Sequence, residues 1–154
     1  HVSRICGDFM SKVLVLNGPN LNLLGRREPD LYGATTLDQL AQMLEDAAPT
    51  AMQLEFFQSN HEGAMIDRIH QLMDQPTDGI VINPGAWTHT SVAIRDALSA
   101  IKTPIVEVHI SNIHARETFR HHSYFSDIAI AVIAGCGMQG YLFALQTLDQ
   151  QVKG

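Results

Sequence analysis

The residues best suited to chemistry in this chain are concentrated at positions 17–33, which read NGPNLNLLGRREPDLYG. The stretch directly follows an apolar run, and it contains Arg26, Arg27 and Tyr32 close together. A tyrosine can act as a base only when nearby positive charge stabilises its phenolate, which an arginine supplies. We therefore interpret the stretch as a catalytic edge. An exposed loop tyrosine with solvated arginines is the alternative that spacing alone leaves open.

A second candidate group lies at the end of an apolar run at 104–109. Glu107 and His109 are two residues apart, so in a strand their side chains point to the same face. A buried carboxylate beside an imidazole suits the imidazole to donate a proton near neutral pH. The backbone amides of the following residues, 110–112, can cup a carboxylate. A purely structural histidine is the alternative reading.

Three further side chains are weaker candidates. His89 lies between two threonines at a predicted helix start, where helix capping explains the threonines but not the imidazole. Arg116 and Arg120 are one helical turn apart, so they can reach one anion or can equally be surface charges near Glu117.

These residues are distant in sequence, so the fold has to bring them together. Short apolar runs predict strands at 13–16, 52–57, 80–82, 104–109 and 128–134. Helical spacing and capping residues predict helices at 36–47, 60–73, 88–101 and 139–152. Strands alternating with helices predict the α/β class, as a flavodoxin-like, doubly wound, five-stranded parallel sheet of strand order 2-1-3-4-5.

In such a sheet the ligand binds beyond the carboxyl ends of the strands, near the switch point between strands one and three. Polar side chains follow four of the predicted strands, at 17–20, 59–61, 83–89 and 109–112. The topology rule therefore selects the same segments as the chemistry does. We expect one single catalytic domain at 10–154, preceded by a disordered or expression-derived extension at 1–9.

The net charge, the length of the apolar runs and the cysteines argue against several classes of protein. The formal charge of −6, with no basic cluster, argues against a nucleic-acid partner. No apolar run approaches the ~20 residues that span a bilayer, so we expect no membrane insertion. Two cysteines without metal-ligand spacing suit a reducing cytoplasm.

Motif searches exclude several mechanisms. The chain has no HExxH pair for a metal, no dinucleotide or phosphate-binding glycine loop and no GxSxG elbow. We call the segments that directly follow the carboxyl ends of the strands the strand exits. Lys12, Lys102 and Lys153 all lie away from them, so no lysine is placed to form a Schiff base. We expect neither a metal nor another cofactor.

Three blocks then resemble the signature blocks of the type II 3-dehydroquinate dehydratases. They read GPNLNLLGRREPDLYG, NPGAWTHTSVAIRDAL and EVHISNIHARETFRHHS, in the family's order and spacing, and the similarity extends from about Met10 to the C-terminus. The resemblance implies a hydro-lyase of the shikimate pathway that converts 3-dehydroquinate to 3-dehydroshikimate and water. It implies an anti elimination through an enolate, without metal or Schiff base.

The resemblance also implies residue roles. Tyr32 would be the base, Arg27 would favour its ionised form, and Asn20 would hold a water against the enolate oxygen. His109 would be the acid that protonates the leaving hydroxyl, oriented by Glu107 and Asn83.

For substrate binding, the resemblance implies that the carboxylate lies on the amides of Ile110 and Ser111 and on the side chain of Asn83. His89 and Arg120 would bind the ring hydroxyls. Asp96 would reach the site of a neighbouring subunit, because family members assemble as trimers that form homododecamers.

Two other functions remain compatible with the residues alone. A flavodoxin-like binding or regulatory domain can use Arg27 and Arg120 to clamp a phosphate-bearing ligand. A cofactor-free isomerase or lyase can act on another cyclic hydroxy-ketone acid. Fold analogy does not separate these readings.

Overall fold

The computed structural model of the protein describes residues 10–154, and it contains one parallel sheet of five strands. The strands are β1 (Ser11–Asn17), β2 (Met52–Gln58), β3 (Gly79–Asn83), β4 (Ile105–His109) and β5 (Ala131–Ala134). Every neighbouring pair is parallel, and the order is β2-β1-β3-β4-β5. This confirms the predicted α/β class and strand order. The extension predicted at 1–9 lies outside the described residues.

Helices cover both faces of the sheet. They are α1 (Pro29–Tyr32), α2 (Leu37–Ala47), α3 (Glu62–His70), α4 (Val92–Ile101) and α5 (Gln139–Lys153). Thr36 caps α2, because its side chain accepts from the amide of Gln39 while the Gln39 side chain accepts from the amide of Thr36. Within residues 10–154, no helix combines the length and the apolarity that crossing a membrane requires.

Two predicted helices are shorter than expected. The helix predicted from residue 60 to 73 begins at Glu62 after His61, and it ends at His70, where a 3-10 turn replaces it. The helix predicted from residue 88 begins at Val92, because the Ser91 hydroxyl caps it by accepting from the amide of Ile94. A 3-10 helix, Gly85–His89, precedes it, so His89 belongs to the strand exit.

The fifth strand also starts later than residue 128. The amides of Ile128 and Ala129 both donate to the carbonyl of Phe125 at 3.1 Å, which forms a turn. Ladder pairing with β4 begins only at Ala131. In the stretch 17–33, a 3-10 turn and the single-turn helix α1 provide local structure where sequence predicted a loop.

The core has two layers, one on each side of the sheet. Val13 and Val15 pack with α2 and α5 on one face, whereas Leu14 and Leu16 pack with α3 and α4 on the other. This division follows from the period-two alternation of a strand. β1 is buried on both faces, which explains its uninterrupted apolar sequence.

The same alternation determines the face of the sheet on which the last side chain of each strand lies. Asn17 continues the Val13 and Val15 face of β1, and Asn83 continues the Val81 face of β3. The two asparagines are register partners across the β1–β3 ladder. The amide of Gly18 donates to the carbonyl of Asn83 at 2.8 Å, so the two exits are joined directly.

We predict that Gly18→Ala destabilises the protein. A Cβ at Gly18 would lie 2.4 Å from the carbonyl oxygen of Pro84, a backbone atom that cannot yield without moving the β3 exit. Overpacking of this kind costs about 1–3 kcal/mol in unfolding free energy, measurable by urea unfolding. Gly63→Ala is the control, since a Cβ there meets nothing within 4 Å. Equal unfolding free energies for both variants would contradict the close approach.

Candidate active site

A cleft of about 220 Å³ lies at the carboxyl edge of the sheet, beyond β1, β3 and β4. The site residues predicted from sequence line it, apart from Glu107 and Asp96, and they are Asn20, Arg27, Tyr32, Asn83, His89, His109, Ile110, Ser111 and Arg120. The fold therefore brings together residues that are up to a hundred positions apart. Sequence reasoning did not select the apolar part of the lining, which includes Leu21, Leu24 and Ile113.

Two arginines lie close to the ring of Tyr32. The guanidinium carbon of Arg27 is 5.2 Å from the centroid of its ring, and that of Arg116 is 5.8 Å away. Arg116 also donates to the hydroxyl of Ser111 at 3.3 Å, which ties it to the β4 exit. Two guanidinium groups therefore lie close to the face of this aromatic ring. Sequence spacing indicated the first arginine, and the fold brings Arg116 to the same ring from more than eighty positions away.

Glu107 and His109 form a buried pair on one face of β4, as their spacing predicts. Oε2 of Glu107 is hydrogen-bonded to Nε2 of His109, and it also accepts from the Thr88 hydroxyl at 3.2 Å. The Ser126 hydroxyl donates to Oε1 at 2.8 Å. These bonds leave Nδ1 as the ring nitrogen of His109 that can meet a ligand in the cleft.

The environment of Glu107 favours the ionised carboxylate. Burial by itself would raise the pKa of Glu107, but the hydrogen bond and charge of His109, together with Ser126 and Ser123, outweigh it, so the pKa is lowered. An ionised carboxylate stabilises a protonated imidazole beside it. The pair is therefore suited to general-acid chemistry.

His89 also lines the cleft, and a hydrogen bond fixes the orientation of its ring. Its Nδ1 donates to the backbone carbonyl of His122 at 2.8 Å. Burial lowers the pKa of His89 below its ordinary value, although the carbonyl works in the other direction. A neutral His89 with its proton on Nδ1 presents Nε2 as an acceptor, which suits it to bind a hydroxyl group.

Asn20 and Asn83 line the cleft from the exits of two neighbouring strands, β1 and β3. Asn20 has a left-handed backbone (φ 70°), and its own amide donates to the side chain of Asn60 at 2.9 Å. The side-chain oxygen of Asn83 accepts from the amide of Gly85 at 3.1 Å. Within residues 10–154, the imidazole of His109 is hydrogen-bonded to the carboxylate of Glu107, and the side-chain nitrogen of Asn83 donates to Tyr141 and not to His109.

Arg120 and Asp96 differ in their relation to the cleft. Arg120 lines it, and its Nε donates to Glu117 at 3.0 Å, which holds the guanidinium at the rim. Asp96 is exposed on α4 and does not line the cleft of its own chain. Its neighbour Arg95 pairs with Asp127.

No group of three or more His, Cys, Asp or Glu side chains is arranged to hold a metal ion in the part of the chain that the structure describes.

The strand order, and a cleft at the switch point that is lined by ionisable side chains, define a flavodoxin-like α/β protein with a polar site at the carboxyl edge of its sheet. The family described as "Dehydroquinase class II" matches residues 11–149. The chain belongs to this family. Its similarity covers nearly the whole of the region that the structure describes.

Individual relatives agree with this assignment. The chain is 58% identical over 137 residues to a 3-dehydroquinate dehydratase of Actinobacillus pleuropneumoniae, covering 88% of each chain. It is 58% identical to a catabolic 3-dehydroquinase of Verticillium alfalfae, covering 93% of this chain and 95% of the other. The crystal structure of a type II dehydroquinase from Butyrivibrio crossotus superposes with a TM-score of 0.88 at 46% identity, covering 91% and 98% of the two chains.

We predict that Glu107→Gln flattens the acid limb of the stability curve. Because folding lowers the pKa of Glu107, its carboxylate stabilises the fold fully above the unfolded value of about 4.3 and loses that contribution as pH falls through the folded pKa. Urea unfolding between pH 3 and 7 should show wild type losing stability more steeply than the variant. Parallel curves would contradict an ionised Glu107. Ser126→Ala, which removes one donor to the carboxylate, should give an intermediate slope.

Proposed function

We propose that this protein is a 3-dehydroquinate dehydratase that works by a tyrosine base and a histidine acid. The observation that carries the proposal is that one cleft is lined by both a tyrosine beside cations and a histidine beside a carboxylate. Arg27 and Arg116 lie close to the ring of Tyr32, and His109 is hydrogen-bonded to a buried Glu107. The related 3-dehydroquinate dehydratases indicate the substrate, and the geometry of the cleft supports the reaction type.

In the proposed first step, the phenolate of Tyr32 takes the proton α to the ketone of 3-dehydroquinate. The two guanidinium groups stabilise the phenolate before this transfer. The electron pair released by the C–H bond moves onto the ketone oxygen and forms an enolate. Asn20 holds a water against that oxygen, and one preorganised donor of this kind commonly contributes about 3 kcal/mol to transition-state binding.

In the proposed second step, the enolate reforms the ketone and expels the hydroxyl group as the C–O bond breaks. His109 gives this hydroxyl its proton, so that water leaves. Glu107 holds the imidazole in place for the transfer through its hydrogen bond to Nε2. Tyr32 holds the proton gained in the first step and His109 lacks one, so solvent has to restore both groups before the next turnover.

The remaining lining residues bind the substrate in this proposal. The backbone amides of Ile110 and Ser111 and the side chain of Asn83 receive the carboxylate. Neutral His89 accepts a hydrogen bond from one ring hydroxyl, and Arg120 donates to another. In this proposal the base and the acid act on opposite faces of the ring, which makes the reaction an anti elimination, and it uses neither a metal nor a Schiff base.

A single assay tests the activity. Dehydration creates a carbon–carbon double bond conjugated to the ketone, which absorbs in the ultraviolet, so turnover of 3-dehydroquinate gives a rising signal. The rate should pass through a maximum with pH, since it needs Tyr32 deprotonated and His109 protonated. No signal at any pH would favour a phosphate-binding module. Faster turnover of another cyclic hydroxy-ketone acid would favour a different lyase.

We predict that Tyr32→Phe lowers kcat by orders of magnitude while substrate still binds. The variant keeps the aromatic ring beside the two arginines but has no oxygen to take the proton. Steady-state kinetics and calorimetric binding of substrate measure the two effects separately. Tyr124→Phe is the matched control, because Tyr124 packs edge-on against His122 and does not line the cleft. Turnover near wild type in Tyr32→Phe would refute the base assignment.

We also propose that the protein works in the cytoplasm as a homododecamer of trimers, in which Asp96 enters the cleft of a neighbouring subunit. Asp96 is exposed on α4 and outside its own cleft, which is the position that such a contribution requires. It would then lie close enough to accept a hydrogen bond from the neighbour's substrate.

We predict that Asp96→Asn loses activity and that mixed assemblies recover it. When Asp96→Asn and Tyr32→Phe chains are co-assembled, some clefts combine an intact Tyr32 with an intact Asp96 from the neighbour. Light scattering reports the mass, and the ultraviolet assay reports the activity. Asp67→Asn, an exposed carboxylate on α3, is the control. A fully active monomer, or no recovery on mixing, would contradict the shared site.

A further inference from the structure

Three buried polar side chains form a hydrogen-bonded relay behind the cleft. Tyr141, in the first turn of α5, is fully buried, and Asn17 and Asn83 are 2% and 3% exposed. The Tyr141 hydroxyl donates to Oδ1 of Asn17 at 2.6 Å, and Nδ2 of Asn83 donates to the Tyr141 oxygen at 2.8 Å. The relay joins α5 to the exits of β1 and β3 across 124 positions of sequence.

The donor and the acceptor of each hydrogen bond in the relay can be assigned in only one way. Oδ1 of Asn83 accepts from the amide of Gly85 at 3.1 Å, and a backbone amide can only donate. The Asn83 nitrogen must therefore face Tyr141, and the tyrosine oxygen must accept from it. The hydroxyl hydrogen is then left for Asn17, whose Oδ1 accepts it. Both ends of the Asn83 amide are thus assigned by their neighbours.

This orientation has a consequence in the cleft, which Asn83 lines. The amide nitrogen carries two hydrogens, and Tyr141 receives one of them. The other remains for a ligand. A reversed amide would instead present its oxygen on that side, and an oxygen repels a carboxylate.

Burial raises the pKa of Tyr141 well above its usual range, so its hydroxyl keeps its proton at any working pH. An ionised Tyr141 would have no hydrogen for Asn17. The polarity of the relay is therefore constant over the pH range in which the cleft acts.

We propose that Tyr141 is a positioning residue, which fixes the Asn83 amide so that it presents an N–H donor to the carboxylate of the substrate. The inference rests on the proposed function, since it assumes that Asn83 binds that carboxylate. Tyr141 does not line the cleft, and it acts only through Asn83. Its effect belongs to substrate binding and not to proton transfer.

The test is the split between KM and kcat in Tyr141→Phe, which removes one oxygen and keeps the ring. We expect KM for 3-dehydroquinate to rise about tenfold, as expected for losing one well-oriented hydrogen bond to a charged group, with kcat within about twofold of wild type. In an Asn83→Ala background the same substitution should leave KM unchanged, because the group through which it acts is already absent.

Leu145→Val is the matched control, since Leu145 is fully buried on the same helix and lies outside the relay. It should lower stability and leave KM unchanged. Should Tyr141→Phe fail to fold, Asn17→Ala replaces it. Without its acceptor, the hydroxyl hydrogen no longer has a fixed direction, so KM should again rise.

An unchanged KM in Tyr141→Phe overturns the inference, as does an equal rise in Leu145→Val or an undiminished rise in the Asn83→Ala background. Failure of the proposed function looks different, because wild type then shows no turnover. In that case the relay is tested by nuclear magnetic resonance of the Asn83 side-chain amide. Its hydrogens should exchange slowly in wild type and Leu145→Val, and rapidly in Tyr141→Phe. Slow exchange in all three proteins overturns the relay.

Discussion

The site depends on one constraint, the parallel register of β1, β3 and β4. Parallel strands end on the same edge of the sheet, so the side chains that follow them meet there. Asn17 and Asn83 are register partners, and the β4 exit brings His109 and Ser111 to the same cleft. The apolar layers on both faces maintain this register, because a slip by one residue would exchange the two faces of every strand.

Within that frame, the buried charge of Glu107 requires the most compensation. A buried carboxylate is costly unless it is paired and hydrogen-bonded. His109, Thr88 and Ser126 satisfy both oxygens. The bond from His109 that stabilises the carboxylate also fixes the imidazole, so one set of contacts meets a requirement of folding and a requirement of the proposed proton transfer.

Much of this was predictable from local patterns. The α/β class and strand order follow from alternating apolar runs and helix caps, and the positions after the strands identify Asn20, Asn83 and His109. The predicted ends of helices and strands were less accurate where a local hydrogen bond forms a cap or a turn within an apolar pattern. Ser91 delays the start of α4 by capping it, and a turn at Phe125 removes three residues from the predicted fifth strand.

By itself, then, the sequence determined the elements, their order and the residues at the strand exits, because these depend on neighbours within a few positions. The tertiary structure decided which distant groups meet. Arg116 reaches Tyr32, Ser126 reaches Glu107, and Tyr141 reaches both Asn17 and Asn83. No local pattern marks these contacts, since each depends on the packing of a loop or helix against the sheet edge. From sequence alone, Tyr141 is indistinguishable from a core residue on the apolar face of a helix, because only the fold shows which groups its hydroxyl contacts.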